Sequence, residues 1–198
     1  MVNASTCTSG LLSGLTSRDD TKDERVPCSF LTQHSPRQHE RIRSKAVIID
    51  EARVDEADVL TRLALASKQY WGYDDDFIEQ CRSELIVDAN DIESDRVFVA
   101  RDNAGVLGFY VMRSMDESRE ELDMLFVEPA FIGRGVGGEL MLHAIDAARE
   151  SGASVIVIVS DPYAAPFYEH CGGELVGSSV SSSTGRTLPV YEVPLYSR

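Results

Sequence analysis

The chain has 198 residues, 43% of them hydrophobic and 26% charged, with a formal net charge of -14 at pH 7. That is room for one domain with a full core, in proportions ordinary for a globular protein. The charge excludes a nucleic-acid backbone as partner, because no basic stripe exists to displace counterions. Solubility is the first use of such an acidic surface, and attraction of a cationic amine substrate is a second.

The charge is unevenly spread. Residues 1–45 hold seven Lys/Arg against five Asp/Glu, whereas residues 46–198 hold twelve against twenty-eight. Residues 1–44 are rich in Ser, Thr, Arg, Gln and Asp without an apolar period, too little to offset the entropy of ordering. The expectation is a disordered N-terminal extension over 1–44 and a single domain over 45–198. The run from Gly10 to Leu15 is too short and polar for a signal-peptide core, and Asp19, Asp20, Asp23 and Glu24 count against a transit peptide. No apolar stretch approaches a membrane span. Cys7, Cys28, Cys81 and Cys171 lie far apart with no CxxC or Cys/His spacing, so reduced thiols, a cytoplasmic location and no metal are expected. Monomer and homodimer are both open.

Structure begins at Ala46-Val47-Ile48-Ile49, a short strand. Asp55 is placed to cap a helix with Val59, Leu63, Ala66 and Tyr70 at helical spacing, and Trp71-Gly72-Tyr73 ends it. Asp74 or Asp75 starts a second helix, with Phe77, Ile78, Cys81 and Leu85 on one face. From Arg96 the period is two: Arg96–Arg101 and Val106–Arg113 are strands joined by hairpin chemistry at Asp102-Asn103-Ala104-Gly105. A polar turn leads to a third strand, Glu121–Val127. A helix from about Gly135 to Ser151 turns Leu140, Ile145 and Ala148 to a core, and Gly152 stops it. Val155–Val159 is β-branched throughout, as in a strand buried on both faces. Ser160-Asp161-Pro162 predicts another helix start, running to Gly172-Gly173, and two strands near Glu174–Ser179 and Val190–Leu195 close the chain. The order predicts an α/β mixed sheet with helices on both faces, and Leu122 to Val159 as one right-handed parallel crossover.

The stretch Leu122–Leu140 reads as strand, glycine-dense turn, helix N-terminus. Such a junction leaves backbone N–H groups without intrahelical partners and carries partial positive charge, so it suits a phosphate or pyrophosphate. Glycines let the anion approach the main chain. Gly133, Gly135 and Gly138 satisfy GxGxxG, and Asp161 ends the next strand, as in a dinucleotide site. Against that rival, Glu128–Ile132 intervene between strand and glycine, and an antiparallel meander replaces the βαβ repeats it needs. A P-loop is excluded, since no Gly-Lys-Ser/Thr follows.

Leu125-Phe126-Val127-x-Pro129, then Gly133-Arg134-Gly135-Val136-Gly137, then Asp161, Ala164 and Phe167-Tyr168-Glu169 with a glycine beyond, resembles the GNAT superfamily of acetyl-CoA-dependent N-acetyltransferases. The resemblance covers residues 46–198. Trp71-Gly72-Tyr73, Ser160-Asp161-Pro162 and Gly185-Arg186-x-Leu188-Pro189 look like a bacterial subgroup of it. Ile132 stands where the family has Gln or Arg, Gly173 where it has an aromatic residue, and Asp161 where Asn is common.

What the resemblance implies is an enzyme transferring acetyl from acetyl-CoA to a primary amine of a small molecule or peptide. A non-catalytic acyl-CoA-binding regulatory module is the alternative. The resemblance places the pantetheine arm in a gap beside the third meander strand, with main-chain groups of Phe126 and Val127 binding it and polarising the acetyl carbonyl. It gives the pyrophosphate to Ile132, Gly133, Arg134, Gly135, Val136, Gly137 and Gly138, and further cofactor contacts to Asp161, Ala164 and Phe167. Tyr168 would protonate the departing thiolate, its phenol keeping the proton at neutral pH. Glu121 and Asp123 share a strand face on the way to the carbonyl site and are the candidate bases. Trp71 and Tyr73 would line the acceptor pocket.

Overall fold

The computed structural model describes residues 2–3 and 47–195, which fall in one unit spanning Met1–Cys7 and Lys45–Arg198. The alternating stretches from Arg96 onward form an antiparallel meander: β3 (Arg96–Asp102), β4 (Gly105–Ser114) and β5 (Arg119–Val127). Before it lies β2 (Ile48–Glu51), paired antiparallel with β3. The β-branched run is β6 (Val155–Val159), and β7 (Glu174–Val180) and β8 (Thr187–Pro194) follow. The sheet order is β2-β3-β4-β5-β6-β8-β7. Within that order only β5 and β6 are parallel, joined by a helical crossover as a parallel pair requires.

That crossover is α4 (Val136–Glu150), and with α5 (Ala165–His170) it covers one face. Leu140, Met141, Ala144 and Ala148 of α4 pack there with Tyr168, Leu122, Leu125, Ile156 and Ile158. The opposite face is covered by α1 (Ala57–Gln69), followed by α2 (Asp75–Cys81). Leu60, Leu63 and Ala64 meet Val97, Val99, Phe109, Val111, Met124 and Phe126. Full burial of each Leu, Val or Phe side chain stabilises by roughly 1.5–3 kcal/mol, so both faces of the meander are firmly held. The expected mixed sheet with helices on both faces is what forms.

Three local expectations fail. The buried stripe of α1 is Leu60, Leu63, Ala64, Ser67 and Lys68, while Val59 and Tyr70 are exposed. The predicted stripe was out of phase because Lys68, buried for its charge, was not counted as an inward residue. A short helix, α3 (Ala89–Ser94), was missed; Asp88 and Asp91 close it in a reciprocal capping box, and it has no buried residue and so no apolar period to see. Ser160-Asp161-Pro162 does not open a helix: α5 begins at Ala165. Pro166 has no N–H to donate back toward residue 162, so the helical ladder cannot run through, and Asp161 instead accepts from Tyr163 N in a local turn. Of the expected N-terminal extension, residues 1 and 4–44 lie outside the described residues. Val2–Asn3 forms β1, paired antiparallel with Leu125 and Met124 of β5.

Candidate active site

Strands β5 and β6 pair only over Arg119–Glu121 against Val155–Val157. Beyond Glu121, β5 continues without its parallel neighbour. Because β4 occupies one edge of Leu125 and Met124 through Tyr110 and Val111, the pairing with β1 uses the other edge, the one β6 has left. That edge therefore accepts an extended chain by strand addition.

The segment after β5 is shaped by its backbone. Pro129–Phe131 forms a 3-10 turn, and Gly133 and Gly135 take positive φ of 78° and 93°, a conformation that costs any residue with a Cβ. Gly135 is the N-cap of α4 and no side chain caps the helix. The N–H groups of Val136, Gly137 and Gly138 therefore have no intrahelical acceptor and point out of the helix start. They face a cavity of about 340 Å³ whose walls are Leu125, Val127, Phe131, Ile132, Phe167 and His170, with Gly133, Gly135, Gly137 and Gly138 at its rim. Gly108 of β4 permits the close approach to β5: a Cβ there would stand 2.7 Å from the Phe126 carbonyl oxygen.

Most of the residues assigned to the cofactor converge here. Val127, Ile132, Gly133, Gly135, Gly137, Gly138 and Phe167 line the cavity, whereas the Val136 side chain turns away into the core. The Phe126 side chain is fully buried toward α1, so any role it has toward a ligand is main chain. Arg134 is exposed, its guanidinium 5.4 Å from the centre of the Phe131 ring. Ala164 is buried behind the wall, its carbonyl accepting from Phe167 and Tyr168.

Asp161 does not join them. Its carboxylate accepts from Lys68 Nζ at 2.6 Å and from Tyr73 Oη at 2.9 Å. Burial opposes its charge, but Lys68, the Tyr163 N–H and the Tyr73 hydroxyl together outweigh that and hold the carboxyl below its ordinary range.

Tyr168 is fully buried against Phe167, and its hydroxyl has no hydrogen-bond partner among the described residues. Burial raises its pKa well above the ordinary phenol, so it holds its proton throughout the physiological range.

Trp71 and Tyr73 sit at the corner between α1 and α2. Trp71 stacks on Tyr163 with ring centres 5.9 Å apart, and its Nε1 is buried without a partner. Tyr73 stacks on Phe77 at 4.3 Å and accepts from Arg186 at 3.0 Å. Burial pushes the Tyr73 phenol up to about 12. Lys68, Tyr73, Asp161 and Arg186 thus form a polar knot joining α1, the turn after β6 and the loop before β8. Lys68 had no sequence signal beyond its place in a helical stripe.

The candidate bases face the α1 side. Leu122 packs toward α4 and Met124 toward α1, opposite faces for residues two apart, which a strand allows only with an irregularity. The register shows it: Val111 pairs with Met124 and Met112 with Leu122, leaving Asp123 unpaired in a bulge. Asp123 is 1% exposed. Arg113 Nη1 lies 2.6 Å from its Oδ2, yet neither oxygen accepts a hydrogen bond. Burial pushes its carboxyl up, Arg113 pulls it down, and Glu121, Asp95 and Asp91 push it up again, to about 7. Glu121, also buried, is raised by burial and lowered less by Arg113.

Residues 93–172 match the family model described as an acetyltransferase (GNAT) domain. That stretch, from the end of α3 through α5, is similar to a GNAT acetyltransferase domain, an acyltransferase class. Among solved structures, the chain is similar to a GCN5-related N-acetyltransferase from Rhodopseudomonas palustris, with 19% identity, a TM-score of 0.64, and 75% of this chain and 96% of that one covered. It is similar also to the PaiA N-acetyltransferase from Thermoplasma acidophilum in complex with coenzyme A, at 17% identity, TM-score 0.63, and 75% and 99% covered. A third is a putative acetyltransferase from Salmonella typhimurium with its cofactor acetyl-CoA, at 23% identity, TM-score 0.55, and 77% and 96% covered. No curated protein matches the chain in sequence.

Proposed function

We propose that the protein is an N-acetyltransferase that moves the acetyl group of acetyl-CoA to a primary amine of a small molecule or peptide. The observation that carries this reading is Asp123: a carboxylate at a bulge, 1% exposed, its pKa pushed up to about 7. A base poised near the working pH is the one best able to take a proton and still be ionised.

The residues present fit the cosubstrate. Uncapped N–H groups at the start of α4 suit a diphosphate, the edge of β5 left by β6 suits an extended amide-containing arm, and the apolar wall of Val127, Ile132 and Phe167 suits its methylene and thioester part. Two structural relatives are described as holding coenzyme A or acetyl-CoA.

Asp123, with Glu121 as neighbour, takes the proton of the acceptor ammonium, directly or through water. The freed amine forms its bond to the acetyl carbon while main-chain groups of Phe126 and Val127 hold the carbonyl oxygen. As the carbon–sulfur bond breaks, the buried Tyr168 hydroxyl supplies a proton to the thiolate and takes back the proton that the newly acylated nitrogen releases, so that the amide and the free thiol leave with the tyrosine neutral. Trp71 and Tyr73 wall the acceptor side, and Arg134 acts on the cofactor at longer range, while Asp161 stays in its ion pair with Lys68. The free thiols Cys81 and Cys171 fit the reducing cytoplasm in which we place a single domain of residues 45–198.

The test is direct. Purified protein with acetyl-CoA and a panel of amino acids, polyamines, aminoglycosides and peptide N-termini is followed by free-thiol release. Acetyl-CoA raises the melting temperature and at least one amine is acetylated. Binding of coenzyme A with no panel member acetylated would replace the transferase with a binding module.

A further inference from the structure

The parallel pairing of β5 with β6 ends at Glu121 against Val157, while β6 runs on to Val159 beside β8. The main-chain edge of β5 that is left over can be paired once: an N–H or C=O engaged by one extended chain is not offered to a second. In the structure that edge is taken. Val2 of β1 pairs antiparallel with Leu125, and Asn3 with Met124. Leu125, the partner of Val2, also lines the cavity at the glycine turn. A segment from the far end of the chain therefore sits on the edge assigned above to the pantetheine arm, and it borders the cavity assigned to the rest of the cosubstrate.

We infer that β1 is a built-in competitor of the cosubstrate: Val2–Asn3 covers the β5 edge, and acetyl-CoA binds by displacing it. This role for β1 rests on the acetyl-CoA reading and adds a regulated entry to it. The recognition is that of strand addition, in which main-chain hydrogen bonds supply the affinity.

The strength of the competition follows from its length. Two residues offer only a few main-chain hydrogen bonds, each of modest net worth. The cosubstrate engages the helix-start N–H groups and the apolar wall as well. β1 thus weakens binding without closing the site: an edge covered about nine-tenths of the time raises the apparent Kd about tenfold. Saturating acetyl-CoA clears the edge, so kcat is untouched and the KM for acetyl-CoA carries the effect. By linkage, the bound cosubstrate keeps β1 released.

Val2→Pro/Asn3→Pro tests this. Residues that pair into an antiparallel ladder alternate with residues whose polar groups point away from it, so one of the two N–H groups faces β5 and the double substitution removes it whichever it is. β1 lies off the path of the main sheet, so no pairing among the other strands depends on it. The whole chain and the variant are titrated calorimetrically with coenzyme A, and amide exchange across Met124 and Leu125 is followed before and after its addition. The variant is expected to bind coenzyme A at least about threefold more tightly. Its Met124 and Leu125 exchange faster than in wild type without coenzyme A and alike once it is saturating. A smaller gain in affinity, or none, overturns β1 as a competitor and leaves the cosubstrate reading standing. Unchanged exchange before addition overturns it too, because β1 then does not cover the edge. Coenzyme A bound by neither protein overturns the cosubstrate reading, and the competition with it.

Discussion

The two faces of the sheet do different work with different materials. Toward α4 and α5 the candidate site is made of backbone: two left-handed glycines, three unpaired N–H groups and an apolar wall. Toward α1 it is made of side chains whose charges shift one another, namely Asp123, Glu121, Arg113 and the carboxylates of α3. Main-chain donors are indifferent to which side chains surround them, so that half can serve one invariant anion. Side-chain charge can be rearranged residue by residue, so the other half can set which acceptor enters.

The largest expected break in this contrast is Asp123→Asn. Losing a general base costs about 10²–10⁴ in rate, so kcat falls by about 10³ while the KM for acetyl-CoA, served by the opposite face, stays within about twofold. Wild-type kcat/KM rises with pH through about 7, and the variant loses that limb. Stability moves the other way. A carboxyl with a folded pKa of about 7 and an unfolded value of about 3.9 binds its proton more tightly in the folded state, so its ionisation removes stability between those values. Asp123→Asn therefore melts higher relative to wild type at pH 8 than at pH 4. A pH-independent difference in melting temperature would mean that the carboxylate is not desolvated as described.

Lys68→Met comes next. It leaves the Asp161 carboxylate buried beside Tyr73 and Tyr163 N alone. Breaking a buried pair by removing one partner costs about 3–5 kcal/mol; the remaining donors bring the expected loss to about 2–4 kcal/mol in chemical denaturation. Lys68→Arg recovers part of it. If Asp161 instead served the cofactor, Lys68→Met would change the affinity for acetyl-CoA more than the stability.

The same contrast decides what was readable beforehand. The glycine turn, the crossover and the meander were written in local patterns: Gly133 to Gly138, the β-branched run at Val155, the period of two from Arg96. The side-chain half was only partly written. Glu121 and Asp123 were placed on one strand face by alternation, and both do face α1, but through a bulge at Asp123 that alternation cannot reveal. Asp161 was assigned by its place at the end of a strand and by the family resemblance; its partner in the fold is Lys68, 93 residues away in sequence, and a long-range ion pair leaves no periodic trace. Asp88 and Asp91 gave no signal because α3 buries nothing, yet they line a cavity together with Asp123.

Tyr168→Phe probes the one side chain placed on the backbone-built face that has chemistry to do. Its hydroxyl is buried with no partner, so deleting it removes an unsatisfied group and leaves the melting temperature unchanged or higher. A donor to the thiolate predicts that kcat nevertheless falls about 10²-fold with cofactor affinity kept. Wild-type kcat in this variant would assign the hydroxyl to packing alone.

The smallest effect sharpens the comparison most, because it touches no functional side chain. Gly135→Val puts a Cβ on a residue at φ 93°, which costs about 1–2 kcal/mol where the backbone stays put. A Cβ there meets nothing within 4 Å, so the cost is conformational and not a clash. The chain relieves it by rotating the turn, and the N–H groups of Val136, Gly137 and Gly138 rotate with it. The KM for acetyl-CoA is expected to rise about tenfold, while the ranking of amine acceptors, set on the other side of the sheet, keeps its order. A change in that ranking would show that the two faces are not independent.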